Sequence, residues 1–95
     1  MREKTTEQKL VQAVRQCGGI ALKFVSPASD GMPDRLVLLP GGRMVFVEVK
    51  APGQKPRPLQ LSRHRLLRRL GFKVYVLDDP DAITGMLDEI GDDAK

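Results

Sequence analysis

Three charged residues lie at the ends of two neighbouring predicted strands. Asp34 opens the first strand directly after Pro33, while Glu48 and Lys50 close the second, which begins at Met44. Residues two apart in a strand share a face, so Glu48 and Lys50 lie on the same side. Burying such charges is costly unless they are paired, hydrogen-bonded or bound to a metal. The set is typical of a metal-dependent hydrolase site, although an ion cluster at a sheet edge would have the same spacing.

The chemistry that this set could support is phosphodiester hydrolysis. That reaction needs an activated water and charge stabilisation at the phosphate, and Mg²⁺ held by carboxylates contributes to both. Mg²⁺ keeps several waters and usually takes only one or two protein carboxylates, for which Asp34 and Glu48 suffice. The Val49 carbonyl is a further candidate oxygen ligand. Lys50 would orient or activate the water, or offset charge on the phosphate.

The turn between the two strands decides whether the charges meet. If Pro40-Gly41-Gly42 form a three-residue loop, Leu39 pairs with Arg43 and Asp34 falls opposite Glu48. Directly opposed side chains lie about 5 Å apart at Cβ. A two-residue loop would place Asp34 opposite Val49 instead and separate the carboxylates.

The amino-acid composition excludes several other kinds of site. The 95 residues include one cysteine and one histidine, which excludes a His/Cys zinc cluster and an internal disulfide. Cys17 follows Leu10 and Val14 at helical spacing, so we expect a buried thiol. No apolar run reaches the roughly 20 residues of a membrane span, and the charged N-terminus is unlike a signal peptide. We therefore expect a cytoplasmic protein with no membrane partner.

The positive charge is concentrated in one block. Residues 49–77 hold eight Lys and Arg and no acid, whereas residues 78–95 hold seven acids and one Lys. A basic block beside an acidic site favours nucleic acid held by its phosphates, and a solvated helix face is the alternative interpretation. The candidate nucleic-acid contacts near the site are Lys55, Arg57, Arg63 and His64.

Hydrophobic periodicity and turn signals predict the elements that carry these residues. The order is α-β-β-β-α-β-α, a mixed four-stranded sheet flanked by helices in one domain over residues 1–95, with the fourth strand parallel to the third. The predicted bounds are a helix beginning at a Thr5 cap and ending before Gly18, strands at 20–25, 34–39, 44–50 and 72–77, a helix at 59–70, and a last helix opening at Pro80.

Two helices bring further candidates to the site. Glu7 borders the apolar face of the first helix, where it either complements the helix dipole or turns a further carboxylate toward the metal. In the second helix we expect Leu59, Leu66, Leu67 and Leu70 to form the apolar stripe. Gln60, His64 and Leu67 make a second row, which starts near the loop that follows Lys50.

The segments Gly31-Met32-Pro33-Asp34-Arg35 and Glu48-Val49-Lys50-Ala51-Pro52-Gly53 resemble the virus-type replication-repair nucleases, the VRR-NUC family of the PD-(D/E)xK nuclease superfamily. The resemblance runs from about Glu3 to about Val76. It implies a restriction-endonuclease-like core and a Mg²⁺- or Mn²⁺-dependent DNA endonuclease. By this likeness Asp34, Glu48 and the Val49 carbonyl would bind metal, Lys50 would be catalytic, and Glu7 and Gln60 would complete the site.

The short length favours the stand-alone members of that family, which are similar to dimeric phage and bacterial proteins that cut four-way (Holliday) DNA junctions. A homodimer acting on branched DNA is therefore the leading hypothesis. Two alternatives stay open. One is a non-catalytic nucleic-acid-binding module that uses the basic segment 50–73, and the other is a nuclease subunit acting on flaps.

Overall fold

A computed structural model describes residues 2–27 and 29–93, the last two by their backbone alone. It confirms the predicted order of helices and strands. The elements are α1 (Glu3–Gln16), β1 (Ile20–Lys23), β2 (Arg35–Leu39), β3 (Arg43–Val49), α2 (Pro58–Arg69), β4 (Lys73–Leu77) and α3 (Ile83–Asp93), with a short 3-10 turn at Pro80–Ala82 before α3.

One mixed sheet organises the chain, with the strands in the order β1-β2-β3-β4. The first three strands are antiparallel neighbours that follow one another in sequence; a long loop over residues 24–34 joins β1 to β2, and the turn at Pro40-Gly41-Gly42 joins β2 to β3. β4 returns through α2 and pairs with β3 in parallel, as a strand-helix-strand crossover requires. β3 therefore has a strand on each side, and its C-terminal residues lie well inside the molecule.

The two faces of the sheet are covered unequally. On one face Val45, Val47 and Val49 pack with Leu10 of α1 and Ile83 of α3 in the larger apolar core. Since side chains alternate along a strand, Phe46 and Glu48 point to the opposite face. There Phe46 packs with Leu67 of α2 and Val74 in a smaller cluster, which leaves room for polar residues. The candidate site lies on this second, less apolar face.

Several predicted boundaries were wrong by a few residues. α1 begins at Glu3, and its N-cap residue is Arg2 rather than Thr5. Cys17 is exposed rather than buried, because it is the C-cap residue of α1 and lies beyond the apolar stripe. Asp34 precedes β2 instead of opening it, and Asp79 caps the 3-10 turn.

None of the described helices is long and apolar enough to cross a membrane.

The orientation of α2 differs from the one predicted. Its buried residues are Gln60, His64 and Leu67, the row that we expected to be secondary. Leu59 is 45% exposed and Leu70 is 64% exposed, so neither belongs to the core. The row that contains Gln60 and His64 is the buried one because both side chains contact Glu48 on the sheet. A helix turned this way serves the site as well as the core.

Candidate active site

The hairpin has the register that the three-residue turn predicts. Leu39 pairs with Arg43 and Arg35 pairs with Val47, so Asp34 is carried to the position beside Glu48. The Asp34 carboxylate accepts a hydrogen bond of 2.9 Å from the Val49 backbone N–H. This bond fixes Asp34 against β3, even though Asp34 itself lies just outside the strand.

Glu48 is a buried carboxylate surrounded by donors. It is 1% exposed, and its Oε2 atom accepts a hydrogen bond of 3.3 Å from the Gln60 amide. Its Oε1 atom lies 3.4 Å from His64 Nε2, and Lys50 Nζ lies 3.9 Å from Oε2. The backbone thus brings together Asp34, Glu48 and Lys50, and α2 adds Gln60 to them.

The environment of Glu48 favours its protonated form. Burial, a hydrogen bond to the Asp34 carboxyl group and the negative charge of Asp34 raise its pKa from 4.5 to about 8, while Lys50 acts in the opposite direction. Two carboxyl groups this close together cannot both ionise without a compensating positive charge. A divalent cation between them would provide that charge.

This raised pKa predicts that the stability of the metal-free protein depends on pH. Between pH 4.5 and about 8 the folded chain keeps a proton on Glu48 that the unfolded chain has lost. The Glu48 contribution to the free energy of unfolding therefore falls as pH rises through this range, by up to about 1.4 kcal/mol per pH unit. Urea unfolding in EDTA at several pH values would measure it. Glu48→Gln should remove this part of the slope, and an unchanged slope would contradict the burial argument.

Glu7 is held by an ion pair that the sequence analysis missed. Its carboxylate accepts a hydrogen bond of 3.1 Å from Arg35 Nε, and a second Arg35 nitrogen donates to the Ala21 carbonyl at 3.2 Å. Glu7 and Asp34 both line one cavity of about 430 Å³, of which Glu48 is not a lining residue. Glu7 therefore shares a cavity with Asp34 and is already paired with Arg35. The only sequence signal for Arg35 was its position next to Asp34.

The loop before Asp34 is fixed against the start of α2. Gly31 has a φ of +84°, and a Cβ at this position would lie 2.9 Å from Leu59 Cγ. Only glycine allows so close an approach in this conformation. Arg63 Nε donates to the Asp30 carbonyl at 3.0 Å, so this predicted DNA contact also holds the loop. The two contacts position Asp34 relative to the helix that carries Gln60.

The other predicted nucleic-acid contacts divide into two groups. Lys55 and Arg57 are exposed, and the Arg57 backbone N–H donates to Gln60 Oε1 at 2.8 Å, which places the Arg57 backbone one side chain away from Glu48. His64 is 0% exposed, which argues against the predicted contact of this side chain with nucleic acid. Burial and the charges of Arg68 and Lys50 lower its pKa.

The residues that could hold a metal ion are few. In the described ranges no group of three or more His, Cys, Asp and Glu side chains is arranged to hold one. The pair Asp34 and Glu48 nevertheless fits Mg²⁺, which needs only one or two carboxylates and completes its shell with water and substrate oxygens. The mutual repulsion of these two carboxyl groups is what a cation would relieve.

A mixed sheet of this order places Asp34 and Glu48 at adjacent strand ends with Lys50 two residues after Glu48, which is the arrangement that the resemblance to the PD-(D/E)xK nucleases implies. The chain belongs to the VRR-NUC domain family, whose model matches residues 1–79.

Two known proteins are similar to the chain over most of its length. A protein of Acyrthosiphon pisum secondary endosymbiont phage 1, called "Putative nuclease p44", is 57% identical over 81 residues, which are 85% of this chain and 87% of that protein. A solved structure described as a VRR_NUC domain superposes with a TM-score of 0.85 at 31% identity. That alignment covers 90% of this chain and 94% of the solved one. The family, the fold and a nuclease function are therefore shown.

Proposed function

We propose that this nuclease is a divalent-metal-dependent, structure-selective DNA endonuclease, in which Asp34 and Glu48 hold Mg²⁺ or Mn²⁺. The observation that carries the proposal is the buried Glu48 carboxylate, which the hairpin register places beside Asp34 and which lies 3.9 Å from Lys50 Nζ. A structural ion cluster has no need to press two carboxyl groups together in a buried position, because their repulsion destabilises the fold. The Val49 carbonyl is the further proposed ligand, since the Val49 N–H already holds Asp34.

The proposed chemistry is hydrolysis of a phosphodiester by water. A bound divalent ion would supply Lewis-acid activation of that water and neutralise charge on the phosphate. Lys50 would donate from its ammonium group to a developing phosphate charge or to the water. Gln60 and Glu7 would complete the site, Gln60 by holding Glu48 and Glu7 from the wall of the cavity that it shares with Asp34.

The substrate that we propose is branched DNA, with a four-way junction as the leading candidate. The experiment is cleavage of a synthetic four-way junction and of a linear duplex of the same sequence, with Mg²⁺, with Mn²⁺ and with EDTA. We expect cleavage of the junction with either metal and none with EDTA. Equal cleavage of the linear duplex would contradict structure selectivity. Salt-sensitive binding without cleavage under any divalent metal would instead favour a binding module.

A junction has two strands to cut, and a dimer with two-fold symmetry would present two sites to them. We therefore propose a homodimer, and we separately propose that it acts in the cytoplasm. Light scattering at the concentration of the cleavage assay should give twice the 10.5 kDa mass of one chain. A mass of one chain under those conditions would refute the dimer without affecting the chemistry proposed for each site.

The exposed cations beside the site give a prediction about DNA affinity. Lys55 and Arg57 precede α2, and the Arg57 backbone is bonded to Gln60 next to Glu48. The double variant Lys55→Gln/Arg57→Gln should weaken binding to duplex DNA. It should also make the negative slope of log K against log salt less steep by about 2, because each lost phosphate contact removes about 0.9 from the magnitude of that slope. Fluorescence anisotropy at several salt concentrations would measure both effects.

A matched control comes from the exposed side of α2. The variant Arg65→Gln/Arg69→Gln removes the same charge, and both residues are exposed while the buried row of the helix faces Glu48. We expect its salt slope to stay near that of the wild type. Equal losses in the two variants would show that the whole basic segment attracts DNA without a preferred contact surface.

A further inference from the structure

His64 is a fully buried polar residue in the middle of α2. It lies one turn after Gln60, and with Leu67 these two side chains make up the buried residues of the helix. Its exposed fraction is 0%. An imidazole placed in the interior loses hydration, which the fold must replace with protein contacts. The contact that His64 makes is with Glu48, at 3.4 Å between Nε2 and Oε1.

The two oxygens of Glu48 each have one partner from α2. Gln60 Nε2 donates to Oε2 at 3.3 Å, and His64 Nε2 lies beside Oε1. The Gln60 amide cannot turn over, because its own oxygen accepts from the Arg57 backbone N–H at 2.8 Å. A carboxylate held at both oxygens cannot rotate about its terminal bond without losing a partner. The helix therefore sets the orientation of Glu48 as well as its burial.

Keeping an imidazole here destabilises the fold. His64 Nδ1 is buried and has no hydrogen-bond partner within the described part of the chain. An unpaired buried nitrogen is a cost that an apolar side chain of similar size would avoid. Packing alone would favour leucine at this position, as it does at Leu67 one turn later on the same row. The imidazole is therefore explained by its contact with Glu48.

We propose that His64 is a positioning residue of the nuclease site, which holds the Glu48 carboxylate in the orientation that a divalent ion shared with Asp34 requires. This inference rests on the proposed function, because it assigns Glu48 as a metal ligand. Hydrogen-bond partners of ligating side chains usually change metal affinity by about 10- to 100-fold when they are removed. The Nε2–H tautomer of His64 is the one that donates to Glu48.

Three substitutions separate positioning from packing. His64→Gln keeps an N–H group at a reach similar to that of Nε2, whereas His64→Asn carries the same amide on a side chain too short to reach Glu48. His64→Leu keeps apolar bulk and removes the donor. Leu67→Met is the matched control, because it changes packing on the same buried row without contacting Glu48.

The measurement is calorimetric titration of the metal-free protein with MnCl₂, with urea unfolding to check that each variant folds. We expect His64→Asn and His64→Leu to bind Mn²⁺ about 10- to 100-fold more weakly than the wild type. His64→Gln should stay within about threefold, a small fraction of that range. Leu67→Met should match the wild type. Excess Mn²⁺ should restore cleavage to the two weak variants, because their chemistry is intact once the site is filled.

The possible outcomes distinguish the inference from the proposal on which it rests. Wild-type Mn²⁺ affinity in His64→Asn and His64→Leu would overturn the positioning role and leave a packing role. An equal loss in His64→Gln would also overturn it, since the retained donor would then not matter. If the wild-type protein itself binds no Mn²⁺, the metal-dependent function fails first and the inference fails with it.

Discussion

Replacing Glu48 by glutamine is expected to reduce metal-dependent DNA cleavage by at least about a thousandfold, since a bound ion contributes several kcal/mol of charge stabilisation and each tenfold in rate corresponds to about 1.4 kcal/mol. The substitution keeps the length and shape of the side chain. It removes the negative charge that, beside Asp34, would hold the ion. Single-turnover cleavage of a four-way junction with saturating Mg²⁺ would measure the loss.

Glu48→Gln should lose activity without losing stability. This combination would distinguish a metal ligand from a residue that only stabilises the fold. Glutamine cannot ionise, so above about pH 8 the metal-free variant should be more resistant to urea than the wild type. Glu89→Gln is a matched control, because Glu89 is exposed on α3 and hydrogen-bonded to the Tyr75 hydroxyl, away from the site. We expect its cleavage rate to equal that of the wild type. Cleavage that persists in Glu48→Gln would show that Glu48 is not a metal ligand of the active site.

The hairpin could be predicted from sequence because its geometry depends on neighbours along the chain. Two strands joined by a three-residue turn have only one register once the turn length is known, and the observed pairing of Leu39 with Arg43 follows from it. That pairing is sufficient to bring Asp34 beside Glu48. The juxtaposition of Asp34 with Glu48 could therefore be predicted without any knowledge of tertiary structure.

The rotation of α2 could not be predicted in the same way. Helical periodicity offered two rows, and counting leucines favoured the row of Leu59 and Leu70, which is exposed. The buried row is decided by what the sheet presents, and Glu48 presents a carboxylate that Gln60 and His64 can contact. A polar residue on the sheet thus selected a polar row on the helix. Helix propensity and hydrophobic periodicity cannot predict such a pairing, because both consider the helix without the sheet that it packs against.

The ion pair between Glu7 and Arg35 was inaccessible for a related reason. The two residues are 28 positions apart and meet only because α1 packs against the sheet that carries Arg35. The sequence offered Glu7 as a dipole-complementing residue or as a metal-facing carboxylate, and both options ignored a cation from the sheet. The capping error at Thr5 has a more local cause. A capping-box pattern is only a weak preference, and the chain continues as helix back to Glu3.

Replacing Lys50 by methionine is the second change with a large expected effect. Lys50 follows Glu48 by two residues on the same face of the sheet, is 16% exposed, and has its Nζ atom 3.9 Å from Glu48 Oε2. Methionine keeps most of the side-chain volume and removes the ammonium group. We expect cleavage to fall at least about a hundredfold, the lower range for loss of one acid-base or charge-stabilising group.

The variant should separate chemistry from binding. Because Lys50 is proposed to act on the water or the phosphate and not to ligate the ion, Lys50→Met should bind Mn²⁺ and junction DNA within about threefold of the wild type, far less than the hundredfold expected for cleavage. Excess metal should therefore leave its cleavage rate low, whereas it should rescue His64→Leu. Lys9→Met, which changes an exposed lysine on α1, controls for the lost charge. Rescue of Lys50→Met by metal would reassign Lys50 from the chemical step to the binding of the ion.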